Sequence, residues 1–383
     1  MNREDVYAYY SLTGDLGIQL LGKYKKVIIY KALASVVLLP VIVVLEVLST
    51  VLVPRKRKDC VCALGQSNYN EVSQKYDVDY HLGLVSFFSF FIRTIKAGNR
   101  VYCYDKYCIL FFIDIYFTNS LTRRFLLNLL QRSMKRRAYS ILLVGNDTKP
   151  NEKVHIIVAR MLDIKSYVYQ HGVWTGRYGS PYELDGWHAD FLYVFDEKNK
   201  QVAITHGLDE CRILSVGYPR RLFNYQSKPI CINNPKICIL GAAAHRSSYS
   251  EDIEELMRKL VMSLGSNYVV DYKPHPVEFK DNSFDIDEKL VSKVLPKSCS
   301  MHEVIGAYDV FISIGSTALI ETSAAGKIAI QIYSDRYASL DMSESTACYR
   351  VNVDDILRFM KGIPNNQSKD RKIYINQGLV FDV

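Results

Sequence analysis

What most limits the folds open to this 383-residue chain is an alternation that runs through most of it. Short β-rich runs are followed, again and again, by stretches of helix length. Asp59 to Leu64, Arg100 to Tyr104, Ser140 to Val144, Ser166 to Tyr169, Phe191 to Phe195 and Arg212 to Val216 read as strands. They are brief, rich in β-branched and aromatic residues, and several end in turn formers such as Gly65-Gln66-Ser67-Asn68 and Gly145-Asn146-Asp147-Thr148. Cys108 to Leu130, Glu152 to Leu162 and Glu197 to His206 read as the helices between them. Such alternation implies a mainly parallel sheet with helices on both faces.

Tyr225 to Pro235 breaks the pattern with Pro229, Asn233-Asn234 and Pro235, and reads as a linker. The alternation then restarts. Strands are expected at Ile237 to Leu240, Tyr268 to Tyr272, Asp309 to Ser313 and Ile328 to Ile332. Helices are expected from Glu251 to Leu264 behind a Ser250 cap, from Met301 to Tyr308 behind a Ser300 cap, from Ser316 to a stop at Gly326, and from Val353 to Met360. The predicted fold is therefore α/β, with two doubly wound Rossmann-like domains facing a cleft. The boundaries read as 1–58 for an N-terminal segment, 59–225 for the first domain and 236–383 for the second.

Composition agrees with two packed cores, at 49% hydrophobic and 23% charged residues. The nine cysteines are scattered and odd in number, with no matching Cys/His set. That excludes a disulfide framework or a zinc site and points to a reducing compartment.

The net charge of +8 is unevenly spread. Residues 1–137 hold 20 Lys and Arg against 10 Asp and Glu, and the rest of the chain is close to balance. The same region contains an apolar run from Ala32 to Pro54, interrupted by Pro40, Glu46 and small hydroxyl residues, with Arg55-Lys56-Arg57-Lys58 directly after it. Three readings of this run stand open: a helix lying on a membrane surface, a bilayer-spanning helix, and a buried helix of a core. Glu46 in its middle counts against spanning. The second basic group, Arg123-Arg124 and Arg132 to Arg137, adds to the expectation of a membrane surface as partner. Nucleic acid is not expected, because aromatic residues are not interleaved with these charges.

Candidate chemistry gathers at predicted strand ends, where open α/β sheets bind ligands. His171 ends one strand in the first domain, and Gly172 after it lets a ligand approach the backbone. Gly217 and Arg220 follow the last strand of that domain, and Arg220 is placed to meet a diphosphate. Asp185, in the aromatic loop 178–187, is assigned to the acceptor side. In the second domain, Lys273-Pro274-His275-Pro276 is a stiff turn presenting one histidine between two residues of fixed φ. Gly315-Ser316-Thr317 opens a helix of the kind that holds phosphate on N–H groups, and Glu321 lies one turn on, in reach of a ribose. Lys273 and His245 are further phosphate candidates. No P-loop, GxGxxG, GxSxG or HExxH occurs, and no metal or cofactor is expected. Asp77-Val78-Asp79 and Asp285-Ile286-Asp287 have Asp-x-Asp spacing without an obvious site around them.

Taken in order, Gln170-His171-Gly172, Gly217-Tyr218-Pro219-Arg220, Lys273-Pro274-His275-Pro276 and Gly315-Ser316-Thr317 resemble the motif set of GT-B-fold transferases of bacterial surface polysaccharides. The set is similar to that of CDP-glycerol glycerophosphotransferases, and to the HP and Ser/Thr motifs of capsule and lipooligosaccharide sialyltransferases. Where the sialyltransferases carry an acidic pair, this chain has Gln170-His171, which points to a histidine base. The resemblance implies an inverting, metal-independent glycosyltransferase. His275, Ser316 and Thr317 would stabilise the departing phosphate of a nucleotide-activated sugar, Glu321 would hold the ribose, and His171 would activate a lipid-linked or surface glycan acceptor. It further implies capsule, O-antigen or lipooligosaccharide synthesis at the cytoplasmic face of the bacterial inner membrane, with residues 27–58 as the peripheral contact or anchor. Transfer of a polyol phosphate from a CDP-polyol, epimerisation of a sugar nucleotide, and a non-catalytic glycan-binding role are the alternatives.

Overall fold

A computed structural model describes residues 30, 33–55, 60–64, 72, 76–107, 110, 120–145, 150–170, 189–205, 207–218, 230–231, 234–241, 250–265, 267–276, 278–281, 286–334 and 348–363. Two parallel sheets organise the chain. The first is built from β1 (Cys60–Leu64), β2 (Asp77–Leu82), β3 (Arg100–Cys103), β4 (Ile141–Val144), β5 (Lys165–Tyr169), β6 (Phe191–Val194) and β7 (Ile213–Ser215), in the order β3-β2-β1-β4-β5-β6-β7. The second is built from β8 (Ile237–Leu240), β9 (Val270–Lys273), β10 (Lys293–Val294), β11 (Val310–Ser313), β12 (Ile328–Tyr333) and β13 (Tyr349–Asn352), in the order β10-β9-β8-β11-β12-β13. Both start at a central strand, wind outward one way, then return and wind the other way. This is the Rossmann pattern, and the expected α/β class with two doubly wound units holds.

The helices are α1 (Leu39–Leu52), α2 (Leu84–Lys96), α3 (Ser120–Arg136), α4 (Pro150–Met161), α5 (Glu197–Thr205), α6 (Ser250–Gly265), α7 (Glu278–Asp281), α8 (Met301–Ala307), α9 (Ala318–Ala324) and α10 (Ile356–Lys361). Alternate residues of each strand feed opposite faces, as a period of two demands. In the first sheet Cys60, Cys62, Leu142, Val144 and Leu192 pack under Leu126, Leu130, Val154, Ile157 and Ala203 of α3, α4 and α5. Val61, Ala63, Tyr80 and Val101 pack on the other face against Phe87 of α2 and Ile42 of α1. In the second sheet Ile239, Tyr272, Ile312 and Ile330 meet α6 and α10 through Leu256, Leu260, Ile356 and Met360. Its opposite face carries Leu240 and Phe311 under Val304 of α8 and Leu319 of α9, and one continuous apolar cluster joins these to Tyr167, Tyr193, Phe195 and Tyr218 of the first sheet. Ser300 caps α8 as expected: its Oγ accepts from the Glu303 N–H at 3.3 Å, and the Glu303 carboxylate accepts from the Ser300 N–H at 2.7 Å.

The structure departs from the sequence reading in several places, among them helix α2 and strands β10 and β13, which were not expected. Strand β2 was not expected, because Asp79 and His81 break its apolar pattern, yet both are buried. The helix read over Cys108 to Leu130 is found as α3, further along, with Leu126, Leu127, Leu130 and Met134 inward; residues 108–109 and 111–119 lie outside the described set. The apolar run is not a buried core helix, since Val37, Val44 and Val51 are 75%, 58% and 71% exposed. Among the described residues no helix is long and apolar enough to cross a membrane.

Helix α1 is inside-out relative to an ordinary surface helix. Its buried residues are Ile42, Glu46 and Ser49, so its inward stripe is the polar one. The reason is β3, the edge strand it covers. The Val101 N–H donates to Ser49 Oγ at 2.8 Å and the Cys103 N–H donates to Glu46 Oε1 at 2.8 Å. Two backbone donors that an edge strand would leave bare are thereby satisfied by helix side chains. Lys106 Nζ, 2.6 Å from Glu46 Oε2, neutralises the buried carboxylate.

Candidate functional site

In the second sheet the winding direction reverses between β8 and β11, so the crevice beyond their carboxyl ends is the topological switch point. The sequence motifs fall on the strands that border it. Lys273 pairs with Leu240 across β9 and β8, and Ser313 pairs with Gln331 across β11 and β12. Ser313 Oγ donates to the Leu240 carbonyl at 2.9 Å, and Gln331 Nε2 donates to the Ile314 carbonyl at 3.0 Å. These bonds lock the strand ends at one level. Gly241, Pro274-His275 and Gly315-Ser316 therefore leave the sheet side by side.

The turn after β9 is held from beneath by Glu278, a residue the sequence reading missed. Glu278 is 0% exposed. Its Oε1 accepts from Tyr272 Oη at 2.7 Å, and its Oε2 accepts a short hydrogen bond from the His275 N–H. The Glu278 N–H returns a bond to the His275 carbonyl at 2.9 Å. The main chain of His275 is thus clamped on both sides, in addition to the restriction from its flanking prolines. Its imidazole is half-buried. Gly241 passes directly over this cradle: a Cβ there would lie 2.5 Å from Tyr272 Oη and 2.8 Å from the His275 nitrogen, and would also meet the Glu278 carboxylate. Glycine is required at this position by close approach. The available signal was the carboxylate three residues after the histidine, at the start of a helix.

On the other side of the crevice the expected helix starts at Ala318, two residues later than read. Thr317 is already helical, with φ −54° and ψ −25°, and its side chain caps nothing. Ser316 provides the turn instead, its Oγ accepting from the Ala318 N–H at 3.3 Å and its carbonyl from the Leu319 N–H at 2.9 Å. Gly315, Ser316, Thr317 and Glu321 are half-buried, and Glu321 lies one turn beyond Thr317. Lys273 contributes its carbonyl to the Gly241 N–H at 2.9 Å. Its ammonium is near enough to Glu303 and Cys238 to act on both. Burial first, then Asp271, pushes the Cys238 thiol up, and Lys273 opposes them.

His171, Gly172, Asp185, Arg220 and His245 lie outside the described residues. What leads to them is described. Gln170 is buried, donates to Asn199 Oδ1 at 2.7 Å and accepts from the Phe195 N–H at 2.9 Å. Asn199 Nδ2 donates to Asp196 Oδ1 at 2.6 Å, and Tyr218 Oη donates to Asp196 Oδ2 at 2.6 Å. Gly217 sits at φ +87°, a left-handed conformation suited to glycine, and its carbonyl accepts from Tyr169 Oη at 3.1 Å. One network of buried polar groups thus fixes the carboxyl ends of β5 and β6 and the chain at Gly217.

The Asp-x-Asp run at Asp77 to Asp79 is structural. Asp79 Oδ2 accepts from Arg55 Nη2 at 2.9 Å and from Tyr139 Oη at 2.9 Å. His81 Nε2 lies 2.8 Å from Tyr139 Oη, and because that hydroxyl gives its proton to Asp79, His81 is the donor. Burial, and then Arg137, His155 and Lys106, hold the His81 imidazole well below its ordinary range, so it stays neutral. Burial pulls the Arg55 guanidinium down, but Asp79 beside it more than compensates.

At the level of sequence, no protein family and no curated protein matches this chain. The fold does match solved structures. A Listeria monocytogenes protein assigned as a UDP-N-acetylglucosamine 2-epimerase superposes with a TM-score of 0.53 at 11% identity, over 84% of this chain and 93% of that one. HepE of Anabaena, in complex with UDP and glucose, gives 0.53 at 10% identity, over 81% and 91%. Another UDP-N-acetylglucosamine 2-epimerase gives 0.50 at 12%, over 82% and 90%. These matches establish the GT-B-like arrangement of the two Rossmann units.

They also correct the expected reaction. The sequence motifs are those expected of a nucleotide-diphosphate site, and such a site would serve any enzyme on this fold that grips an activated sugar. Nothing in the motifs reports an acceptor. The solved structures that share the fold include epimerases, which favour the sugar-nucleotide epimerase alternative over the glycosyltransferase expectation. The transferase reading, with its glycan acceptor and its place in capsule or O-antigen synthesis, is set aside.

Proposed function

We propose that this chain is a nucleotide-sugar epimerase acting on a UDP-activated sugar, with UDP-N-acetylglucosamine as the substrate to test first. The observation that carries the reading is the crevice between β8 and β11, where Gly241, the clamped His275 turn and Gly315-Ser316-Thr317 leave adjacent strands together. Its support from other proteins is a fold shared with UDP-N-acetylglucosamine 2-epimerases and with a protein bound to UDP.

In this reading the diphosphate lies across His275, Ser316 and Thr317, with Lys273, Gly315, Arg220 and His245 as further contacts, and the ribose hydroxyls meet Glu321. Preorganised donors hold the diphosphate charge without a metal. No carbonyl flanks C2, so the electron pair left when its proton is removed expels UDP from C1 and forms a C1=C2 double bond; UDP then adds back at C1 as a proton is delivered to the opposite face of C2. His171 is assigned the removal. No second substrate takes part, so atoms balance within the sugar nucleotide itself.

The test is incubation of the purified protein with UDP-N-acetylglucosamine alone in deuterated water, followed by NMR. The expected result is the C2 epimer, with deuterium at C2 of both sugar nucleotides. Unchanged substrate without deuterium, from protein that binds UDP by calorimetry, would refute epimerisation at that carbon.

A further inference from the structure

Between α1 and α3 lies a cleft of about 630 Å³ whose two walls differ in chemistry. Val43, Val47 and Val51 of α1 form an apolar wall. Opposite them stand Arg132, Arg136 and Arg137, and Arg55 and Arg100 close the end. Arg137 is stacked over the Tyr102 ring at 4.0 Å and donates to Ser133 Oγ, while Arg100 Nε donates to the Val53 carbonyl at 2.7 Å. The one carboxylate in the lining, Glu46, is already neutralised by Lys106. Arg132 and Arg136 are exposed and have no ion pair among the described residues. Arg55 is paired with Asp79, which leaves the guanidinium groups of Arg100, Arg132, Arg136 and Arg137 lining a space with almost no opposing charge.

The apolar wall continues outward. From Leu33 to Pro54 no exposed residue is charged, and the outer surface is nearly all Val and Leu. A soluble protein rarely leaves such a strip to water. Glu46 and Ser49 of helix α1 are tied to the backbone of β3, so one face of the helix stays on the sheet and only the other is free, which suits lying in the interface rather than spanning it. An apolar strip beside an arginine-lined cleft matches the two ends of a phospholipid: acyl chains along the valines, headgroup phosphate on the planar guanidinium forks.

We propose that α1 and the arginine cleft together form a docking face for an anionic phospholipid leaflet, with a lipid phosphate seated between Arg132, Arg136 and Arg137. The inference is independent of the reaction assigned to the second sheet. Helix α1 rests in the interfacial plane while its polar stripe stays on β3.

Co-sedimentation of the full chain with phosphatidylcholine vesicles, with and without phosphatidylglycerol, tests the docking face. Expected is binding to the anionic vesicles that weakens as salt rises. The exposed pair Arg132→Gln/Arg136→Gln should weaken it roughly twenty-five-fold, taking roughly five-fold per basic side chain near an anionic surface. Val37→Asp/Val44→Asp, on the outer strip and outside the cleft, should abolish it with unchanged circular dichroism. Equal binding to neutral vesicles, insensitive to the arginine pair, would overturn the role of the cleft. So would a cleft that binds soluble pyrophosphate through Arg132 and Arg136 while vesicle binding ignores them. Absence of vesicle binding together with a dimer that Val37→Asp/Val44→Asp dissociates would assign the strip to a second copy of the chain and overturn the proposal.

Discussion

Replacing Glu278 by alanine removes the acceptor for two buried donors at once, the Tyr272 hydroxyl and the His275 N–H. Tyr272, like Glu278, is 0% exposed, so its hydroxyl gains no water in exchange. Hydrogen bonds to a charged group contribute about 1.5–3 kcal/mol each, and stranding a buried donor costs a similar amount. Glu278→Ala should therefore destabilise the protein by about 3–5 kcal/mol, a large share of the 5–15 kcal/mol or so that holds a domain folded. Glu278→Gln keeps the shape. Its amide oxygen accepts from the His275 N–H, its nitrogen donates to Tyr272 Oη, and the cost should stay near 1 kcal/mol. Urea unfolding followed by circular dichroism reads both. Because the same carboxylate sets the main chain of His275, the glutamine variant should leave UDP affinity within a few-fold of wild type. The alanine variant, assayed where it remains folded, should lose about ten-fold, or about 1.4 kcal/mol. An alanine variant within 1 kcal/mol of wild type would refute the energetic argument. One that is destabilised yet binds UDP unchanged would show that the cradle supports the fold and not the ligand site.

Gly241→Ala forces a methyl group against Tyr272 Oη, the His275 nitrogen and the Glu278 carboxylate, and overpacking of this kind should cost about 1–3 kcal/mol by urea unfolding and weaken UDP binding. His81 gives a pH signature. Its folded form is held neutral while the unfolded form titrates near 6.5, so the contribution is fully present above pH 6.5 and is lost as pH falls below it. Stability should drop by about 1.4 kcal/mol per pH unit below that point, and His81→Gln should flatten the slope between neutral pH and about pH 5.5. Parallel slopes for the two proteins would sink that assignment.

Much of the architecture was written in hydrophobic periodicity. The strands at Cys60, Ile141, Ile237 and Val310 are short buried runs stopped by turn residues, and the doubly wound order follows once such runs alternate with helices. The crevice residues were legible for the same reason, because ligand-facing turns come at strand ends. What escaped was α2, whose amphipathic run went unread, and several buried polar groups. Asp79 and His81 hid β2, since a strand facing a hydrogen-bonded polar layer looks like a loop to any hydropathy rule. Glu278 and Gln170 escaped because their roles depend on partners in other segments. The reaction escaped for a further reason: motifs of this kind speak of what would be held and are silent on what is done to it.

The contact between α1 and β3 also bears on how this sequence can drift. Outward positions such as Val44, Val47 and Val51 touch no backbone donor, so valine, isoleucine and leucine should exchange there almost at no cost. Glu46 and Ser49 have no such latitude: replacing either by an apolar residue would strip Cys103 or Val101 of its acceptor and leave a sheet edge ready to pair with another chain. Among relatives of this protein the helix should therefore exchange one aliphatic residue for another on the face turned away from the sheet and hold its carboxylate and hydroxyl three residues apart on the face turned toward it.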